Sequence, residues 1–310
     1  MSVIGRFAPT PSGRLHLGNV MCALLAYLSA KSQGGENILR IEDLDFQRCA
    51  FGDNAAVLMD DLRWLGLVYD RGYEAESFQS RRFPIYESYF ERLRADGRIY
   101  PCYCSRAELH AATAPHGTDG QPLYDGKCRR LFDAGITPNT DKAPAFRLRV
   151  PDETVAFVDG VQGAYSENLA HEAGDFILRR ADGVYAYQLA VVIDDALTGV
   201  TEVVRGRDLL SSTPRQIYLY RLFGFTPPAF YHVPLVVMPD GRRLSKRDGD
   251  LDIGAFRRRF KSPELLLGYL GYAAGLLERA EPVTVAELTQ IFSWDKIPKN
   301  DIPLPKELLE

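Results

Sequence analysis

The amino-acid sequence predicts an α/β protein organised on a doubly wound parallel sheet and interrupted by an inserted subdomain. Three observations carry this. The chain opens as strand, loop, helix and strand: residues 3–8 are β-prone, apolar spacing over 17–30 is helical, and 37–41 is extended again. From 101 to about 144 the chain is rich in Cys, Gly, Pro and Thr and loses its periodicity. Sheet-like and helical segments then resume and run on to about residue 260.

Each element has a local cause. Pro9 and Pro11 end the first strand, and Gly13 permits a tight turn before the helix. Gly34 and Gly35 stop that helix. Helical periodicity returns at 55–65 and at 84–96, the latter stopped by Gly97. Short strands are predicted at 146–150, 154–158 and 176–179, with Asp182-Gly183 as a hairpin turn. Residues 189–193, 200–204 and 231–237 read as sheet. Thr213-Pro214 caps a helix to Phe223, and Ser262-Pro263 starts another. From there to residue 310 the chain reads as helical or irregular. In such a sheet, ligands sit at the carboxyl ends of the strands, where the 8–18 loop and Glu42-Asp43 emerge.

The 310 residues, 46% hydrophobic and 25% charged with a net charge of −4, describe an ordinary globular protein of two or three domains. The acidic balance argues against indiscriminate nucleic-acid binding but leaves room for local basic patches. Two are candidates: Lys127, Arg129 and Arg130, and Arg257, Arg258, Arg259 and Lys261. A solvated charged face explains either equally well. The apolar run 20–30 has no basic leader, and no stretch is long enough to span a bilayer, so no membrane partner is expected; the five unevenly placed cysteines fit a reducing cytoplasm, and a monomer is expected.

Two segments carry the chemistry. The first is Arg6-Phe7-Ala8-Pro9-Thr10-Pro11-Ser12-Gly13-Arg14-Leu15-His16-Leu17-Gly18-Asn19, and the second is Arg243-Leu244-Ser245-Lys246-Arg247. His16 and Asn19 fall at a helix start, whose N–H groups and dipole attract phosphate. Gly18 removes a side chain where adenine or ribose must approach the backbone. An imidazole and an amide can stabilise charge on an α-phosphate under attack, while Lys246 follows the β- and γ-phosphates of ATP as they leave. Either segment alone is weak, since a histidine at a helix start is more often structural and Ser-Lys-Arg is usually surface. Their joint occurrence, in this order, carries the reading.

Here the chain resembles the class I aminoacyl-tRNA synthetases, whose HIGH and KMSKS signatures match His16-Leu17-Gly18-Asn19 and 243–247. Within that class it is similar to the glutamate-handling branch, marked by 5–13, Arg40-Ile41-Glu42-Asp43, Val204-Arg205-Gly206 and Ser212-Thr213-Pro214-Arg215-Gln216. The resemblance covers about residues 3–260. It implies a Rossmann-like catalytic domain in two halves, 1–100 and 186–260, with a zinc-containing, acceptor-binding-like insertion at 101–185 and a short helical stem-contact-like region at 261–310. It also implies site roles. Arg6 and Arg205 clamp the carboxylates of L-glutamate, Glu42 takes its ammonium, Tyr187 supplies a hydroxyl and an apolar wall, and Ala8 and Thr10 line the loop. His16, Gly18, Asn19 and Lys246 hold ATP, with Mg²⁺. Asn19 replaces the second histidine of HIGH and still donates a hydrogen bond.

Cys102-x-Cys104 followed by Cys128 suits structural zinc better than a strained disulfide. On chemistry alone the fourth ligand would be His110 or His116; the resemblance implies Tyr124. Cys22 and Cys49 read as packed thiols. The run Tyr124-Asp125-Gly126-Lys127-Cys128 and Arg205-Gly206-Arg207-Asp208-Leu209-Leu210 resemble the glutamyl-Q tRNA(Asp) synthetase family. At this length the chain is expected to lack an anticodon-reading domain of the standard kind. That family activates glutamate without tRNA and passes it to queuosine at the wobble position of tRNA-Asp. Three other readings remain: a shortened glutamyl-tRNA synthetase charging tRNA-Glu, a nucleotidylyltransferase, and a non-enzymatic RNA-binding paralogue.

Overall fold

The computed structural model describes residues 2–45, 49, 53–105, 108, 123–244 and 251–309. Two parallel crossover units build the half of the molecule that carries the site. In the first, β1 (Ile4–Phe7) leads through α1 (Leu17–Ser32) to β2 (Glu36–Leu39), and β1 pairs with β2 in parallel, Arg6 opposite Ile38. In the second, β8 (Glu202–Gly206) leads through α6 (Thr213–Phe223) to β9 (Ala229–Val233), again in parallel, Arg205 opposite His232. Thr201 ties β8 to β1, its N–H donating to Ile4 O at 3.0 Å and its hydroxyl accepting from Ile4 N–H at 2.9 Å. A parallel pair needs a covering crossover, which is why α1 is apolar on nearly every face: Leu17, Val20, Met21, Leu24, Leu25 and Leu28 are all buried.

Between these units lie α2 (Asn54–Trp64), α3 (Phe83–Ala95), β3 (Ile99–Cys102) and α4 (Lys127–Asp133), then β4 (Ala145–Leu148), β5 (Thr154–Asp159), β6 (Gly163–Asn168), β7 (Ile177–Arg179) and α5 (Tyr187–Leu197). β3, β4 and β7 form an antiparallel sheet, and β5 and β6 form a hairpin. The hairpin end meets β9: Gly160 N–H donates to Phe230 O at 2.8 Å, and a Cβ on Gly160 would lie 2.1 Å from the Tyr231 ring. Only glycine permits that approach. After β10 (Val236–Val237) come α7 (Ile253–Arg259), α8 (Glu264–Ala273) and α9 (Val285–Ile291), which complete the core around α1.

Three sequence readings are corrected. Residues 189–193 are helix, within α5, and not sheet. The Val-Val-Ile run is β-prone, but a short apolar run cannot distinguish a strand from a helix buried on all sides, and Leu189 to Asp195 are all buried. Residues 231–237 are broken at Pro234, which cannot donate to a ladder, giving β9 and β10. The tail is not only helical or irregular: β11 (Ile302–Pro303) pairs in parallel with β10, and Ile302 N–H donates to Leu235 O at 2.8 Å.

Candidate active site

The carboxyl ends of β1, β2, β8 and β9 open onto one cavity of about 560 Å³. From the end of β1 come Arg6, Ala8 and Thr10; from α1 come His16, Gly18 and Asn19. Glu42 follows β2, Arg205 closes β8, and Tyr187 starts α5. Nine residues expected from sequence thus line one cavity. Lys246, with Ser245 and Arg247, lies outside the described residues. Its flanks reach the site: Arg243 and Leu244 line the cavity, and Asp252 bridges to His16, with Ile253 N–H donating to Leu15 O at 2.9 Å.

His16 is the N-cap of α1, and its Nδ1 accepts from Asn19 N–H at 3.4 Å. A neutral imidazole that accepts at Nδ1 carries its proton on Nε2. Gly18 has a reason the sequence did not supply: a Cβ there would sit 3.1 Å from the His16 ring.

The end of the cavity around Arg6 and Glu42 rests on a buried charge network. Arg6 pairs with Asp195 at 3.5 Å and donates to Val204 O at 3.1 Å. Arg40 donates to the other Asp195 oxygen at 2.5 Å and to Glu42 at 3.1 Å. Asp194 accepts from Gln79, Arg82 and Tyr86. Burial alone would raise the Asp195 carboxyl, but Arg40 and Arg6 outweigh it and hold it below the usual range. At Glu42 burial wins over Arg40, and its carboxyl sits above the usual range.

Arg205 is held differently. Its described partners are all neutral: Nε donates to His232 Nε2 at 2.9 Å, Nη1 to the Tyr187 hydroxyl at 3.2 Å, and Nη2 to Thr213 Oγ1 at 2.8 Å. A largely buried guanidinium without a carboxylate suits a carboxylate ligand. Sequence reasoning missed Asp194, Asp195, His232 and Asp159, because nothing local marks pairings across tens of residues. Cys22, read as a packed thiol, lines the cavity, and burial pushes its pKa up to about 12, so it stays protonated.

Apart from this site, the Sγ atoms of Cys102, Cys104 and Cys128 lie within 4.8 Å of one another. The Tyr124 hydroxyl accepts from Cys128 N–H at 2.6 Å, and the Arg147 guanidinium, unforeseen from sequence, donates to Cys102 Sγ at 3.2 Å over the Tyr124 ring. His110 and His116 lie outside the described residues. The two basic runs are largely paired within the chain: Arg129 with Asp175, Arg130 with Asp125, and Arg257 with Asp60 and Asp61. No helix among the described residues is long and apolar enough to cross a membrane.

Comparison with known proteins agrees with this geometry. The family model for the catalytic domain of class I tRNA synthetases (E and Q) matches residues 2–302. A glutamyl-Q tRNA(Asp) synthetase of Symbiobacterium thermophilum is 48% identical, the match covering 98% of this chain and 97% of that protein. A glutamate–tRNA ligase of Wolinella succinogenes is 43% identical over 86% of this chain and 56% of its own length. The crystal structure of a glutamate tRNA ligase from Elizabethkingia meningosepticum, in complex with its amino acid, superposes with a TM-score of 0.80 at 28% identity, covering 99% of this chain and 68% of that one. With its strand ends, signature helix and full-length relatives in agreement, the chain belongs to the class I tRNA synthetases of the E and Q branch and, within it, to the glutamyl-Q tRNA(Asp) synthetase family.

Proposed function

We propose that this chain activates L-glutamate with ATP as glutamyl-adenylate, without tRNA, and then transfers the glutamyl group to the queuosine base at the wobble position of tRNA-Asp. The observation that carries the first step is the shared cavity, where a cationic amino-acid pocket meets a phosphate-binding helix start. Arg6 and Arg205 take the substrate carboxylates, with the Tyr187 hydroxyl donating beside Arg205, and Glu42 takes the ammonium. Ala8 and Thr10 line the loop between the amino acid and the nucleotide. One glutamate carboxylate oxygen attacks the α-phosphorus, and pyrophosphate leaves. The Nε2–H of His16 and the amide of Asn19 stabilise the charge that builds on the equatorial oxygens. Lys246 follows the departing pyrophosphate; it is two positions from Leu244, which lines the cavity. Mg²⁺ enters with ATP as its metal complex. In the second step a queuosine hydroxyl attacks the anhydride carbonyl, an ester forms, and AMP leaves.

We assign residues 1–100 and 186–260 to the halves of a Rossmann-like catalytic domain, 101–185 to an inserted acceptor-binding-like subdomain, and 261–310 to a stem-contact-like region. The three thiols suit zinc as a soft-ligand structural ion, with Tyr124 as fourth ligand and Arg147 offsetting excess negative charge. The purified chain is expected to carry about one zinc per molecule. Cys128→Ser should lose it and lower the unfolding temperature, with metal content read by elemental analysis.

Glutamate-dependent ATP–pyrophosphate exchange without RNA tests the first step, and movement of radiolabelled glutamate to queuosine-containing tRNA-Asp tests the second. Exchange that needs no amino acid would indicate a nucleotidylyltransferase. Charging of tRNA-Glu at its 3′ end would favour the ordinary ligase activity, which the Wolinella relative keeps in view. Acidity gives a further prediction. Glu42 must be ionised to hold an ammonium, and its pKa lies above the usual carboxylate range of about 4.3. The KM for glutamate should therefore rise as pH falls through that raised value, while the KM for ATP stays level. A glutamate KM that is flat on acidification would remove Glu42 from this role.

A further inference from the structure

Arg205 is aimed by a buried relay that does not itself touch the cavity. His232, on β9, is fully buried, and so is Asp159 at the end of β5. His232 Nδ1 lies 2.6 Å from Asp159 Oδ2, and its Nε2 lies 2.9 Å from Arg205 Nε. An arginine Nε can only donate, so His232 Nε2 must accept, and the ring proton sits on Nδ1, given to Asp159. Asp159 is fixed in turn. Its Oδ1 accepts backbone N–H groups of Val161 at 3.0 Å, Gln162 at 2.8 Å and His232 at 3.1 Å. Burial and the nearby Arg205 keep the imidazole neutral in spite of its carboxylate neighbour.

We propose that His232, held in one tautomer by Asp159, is a positioning residue that sets glutamate affinity by orienting the Arg205 guanidinium toward the substrate carboxylate. The relay fixes the Nε edge. Thr213 fixes Nη2, which leaves the Nη1 edge, next to the Tyr187 hydroxyl, to meet the ligand. The parallel register makes this possible, since Arg205 and His232 are Cα partners on adjacent strands with side chains on one face. The hairpin β5–β6 thereby reaches the amino-acid pocket without lining it. The inference rests on the reading of Arg205 as a glutamate ligand.

The test compares His232→Leu, His232→Gln, Asp159→Asn and Arg205→Ala in glutamate-dependent ATP–pyrophosphate exchange. Asp159→Asn keeps the shape but replaces one acceptor oxygen by a donor NH₂. Three backbone donors hold its oxygen, so its NH₂ faces Nδ1 and forces the ring proton onto Nε2, against Arg205. His232→Leu and Asp159→Asn are expected to raise the glutamate KM about 10- to 100-fold, as for lost hydrogen bonds to a charged group. The ATP KM should stay unchanged and kcat should fall within about threefold. His232→Gln, whose amide can accept from Arg205 and donate to Asp159, should recover most of the loss. If Arg205→Ala raises the glutamate KM while His232→Leu and Asp159→Asn do not, the relay has no positioning role. If both KM values and kcat move together and glutamine recovers nothing, His232 is merely structural, and the proposal falls. If Arg205→Ala leaves the glutamate KM unchanged, the ligand reading fails and takes the relay with it. Should His232→Leu not fold, the isosteric Asp159→Asn decides.

Discussion

Replacing His16 by alanine is expected to lower kcat for glutamate-dependent pyrophosphate exchange by about 10²- to 10³-fold, the usual cost of removing one preorganised donor from a developing oxyanion. The geometry makes this a loss of chemistry more than of folding. The imidazole is partly exposed at the start of α1 and lines the cavity, and it caps the helix by accepting Asn19 N–H at 3.4 Å. Losing such a cap costs about 1 kcal/mol. The glutamate KM should change little, because the groups proposed to hold the amino acid stand on other elements. Gly18→Ala is a milder version of the same experiment, since its methyl would press on the ring at 3.1 Å. Retention of kcat within about tenfold in His16→Ala would take the imidazole out of phosphate activation.

The largest effect on stability is expected from Asp195→Ala. This carboxylate touches both Arg6 and Arg40 in the interior, where all three side chains are at most 5% exposed. Removing it takes from Arg6 its described carboxylate partner and leaves Arg40 only Glu42 at 3.1 Å and Asp194 at 3.7 Å, and breaking a buried pair from one side costs about 3–5 kcal/mol. Urea unfolding monitored by circular dichroism reads the loss directly, and a decrease below about 1 kcal/mol would mean that the arginines find water or other partners. The linkage has a definite sign. Asp195 is depressed in the folded state, so its contribution is fully present above the ordinary carboxylate pKa of about 3.9 and is lost as pH falls through its lower folded value. The variant should therefore lack part of the acid-induced destabilisation of the parent. Glutamate should also bind poorly, because Arg6 would be free to leave the wall.

The amino-terminal half of the site was legible in the sequence because its signals are local. Two prolines, two glycines and a helix start within residues 9–18 leave few ways for the chain to run, and Ala8, Thr10, His16, Gly18 and Asn19 all line the cavity. Arg205 and Tyr187 could be found only through a resemblance, since neither carries a local mark. What holds them was not legible. Asp195 meets Arg6 across 189 positions, and Asp159 meets His232 across 73, and no periodicity encodes such pairs. The misread segment 189–193 has the same cause: an element buried on all sides loses the polar face that reveals its period, and Val-Val-Ile then reads as strand.

The short pairing of β11 with β10 also bears on how the cavity keeps its shape. Asp301 accepts Arg207 Nη2 at 2.7 Å and Leu235 N–H at 2.9 Å, and Ile302 pairs with Val236, so residues 301–302 brace Leu235 and Val236, which line the cavity. A change at Asp301 would therefore reach the cavity through Leu235, without touching any of the groups assigned to the substrate.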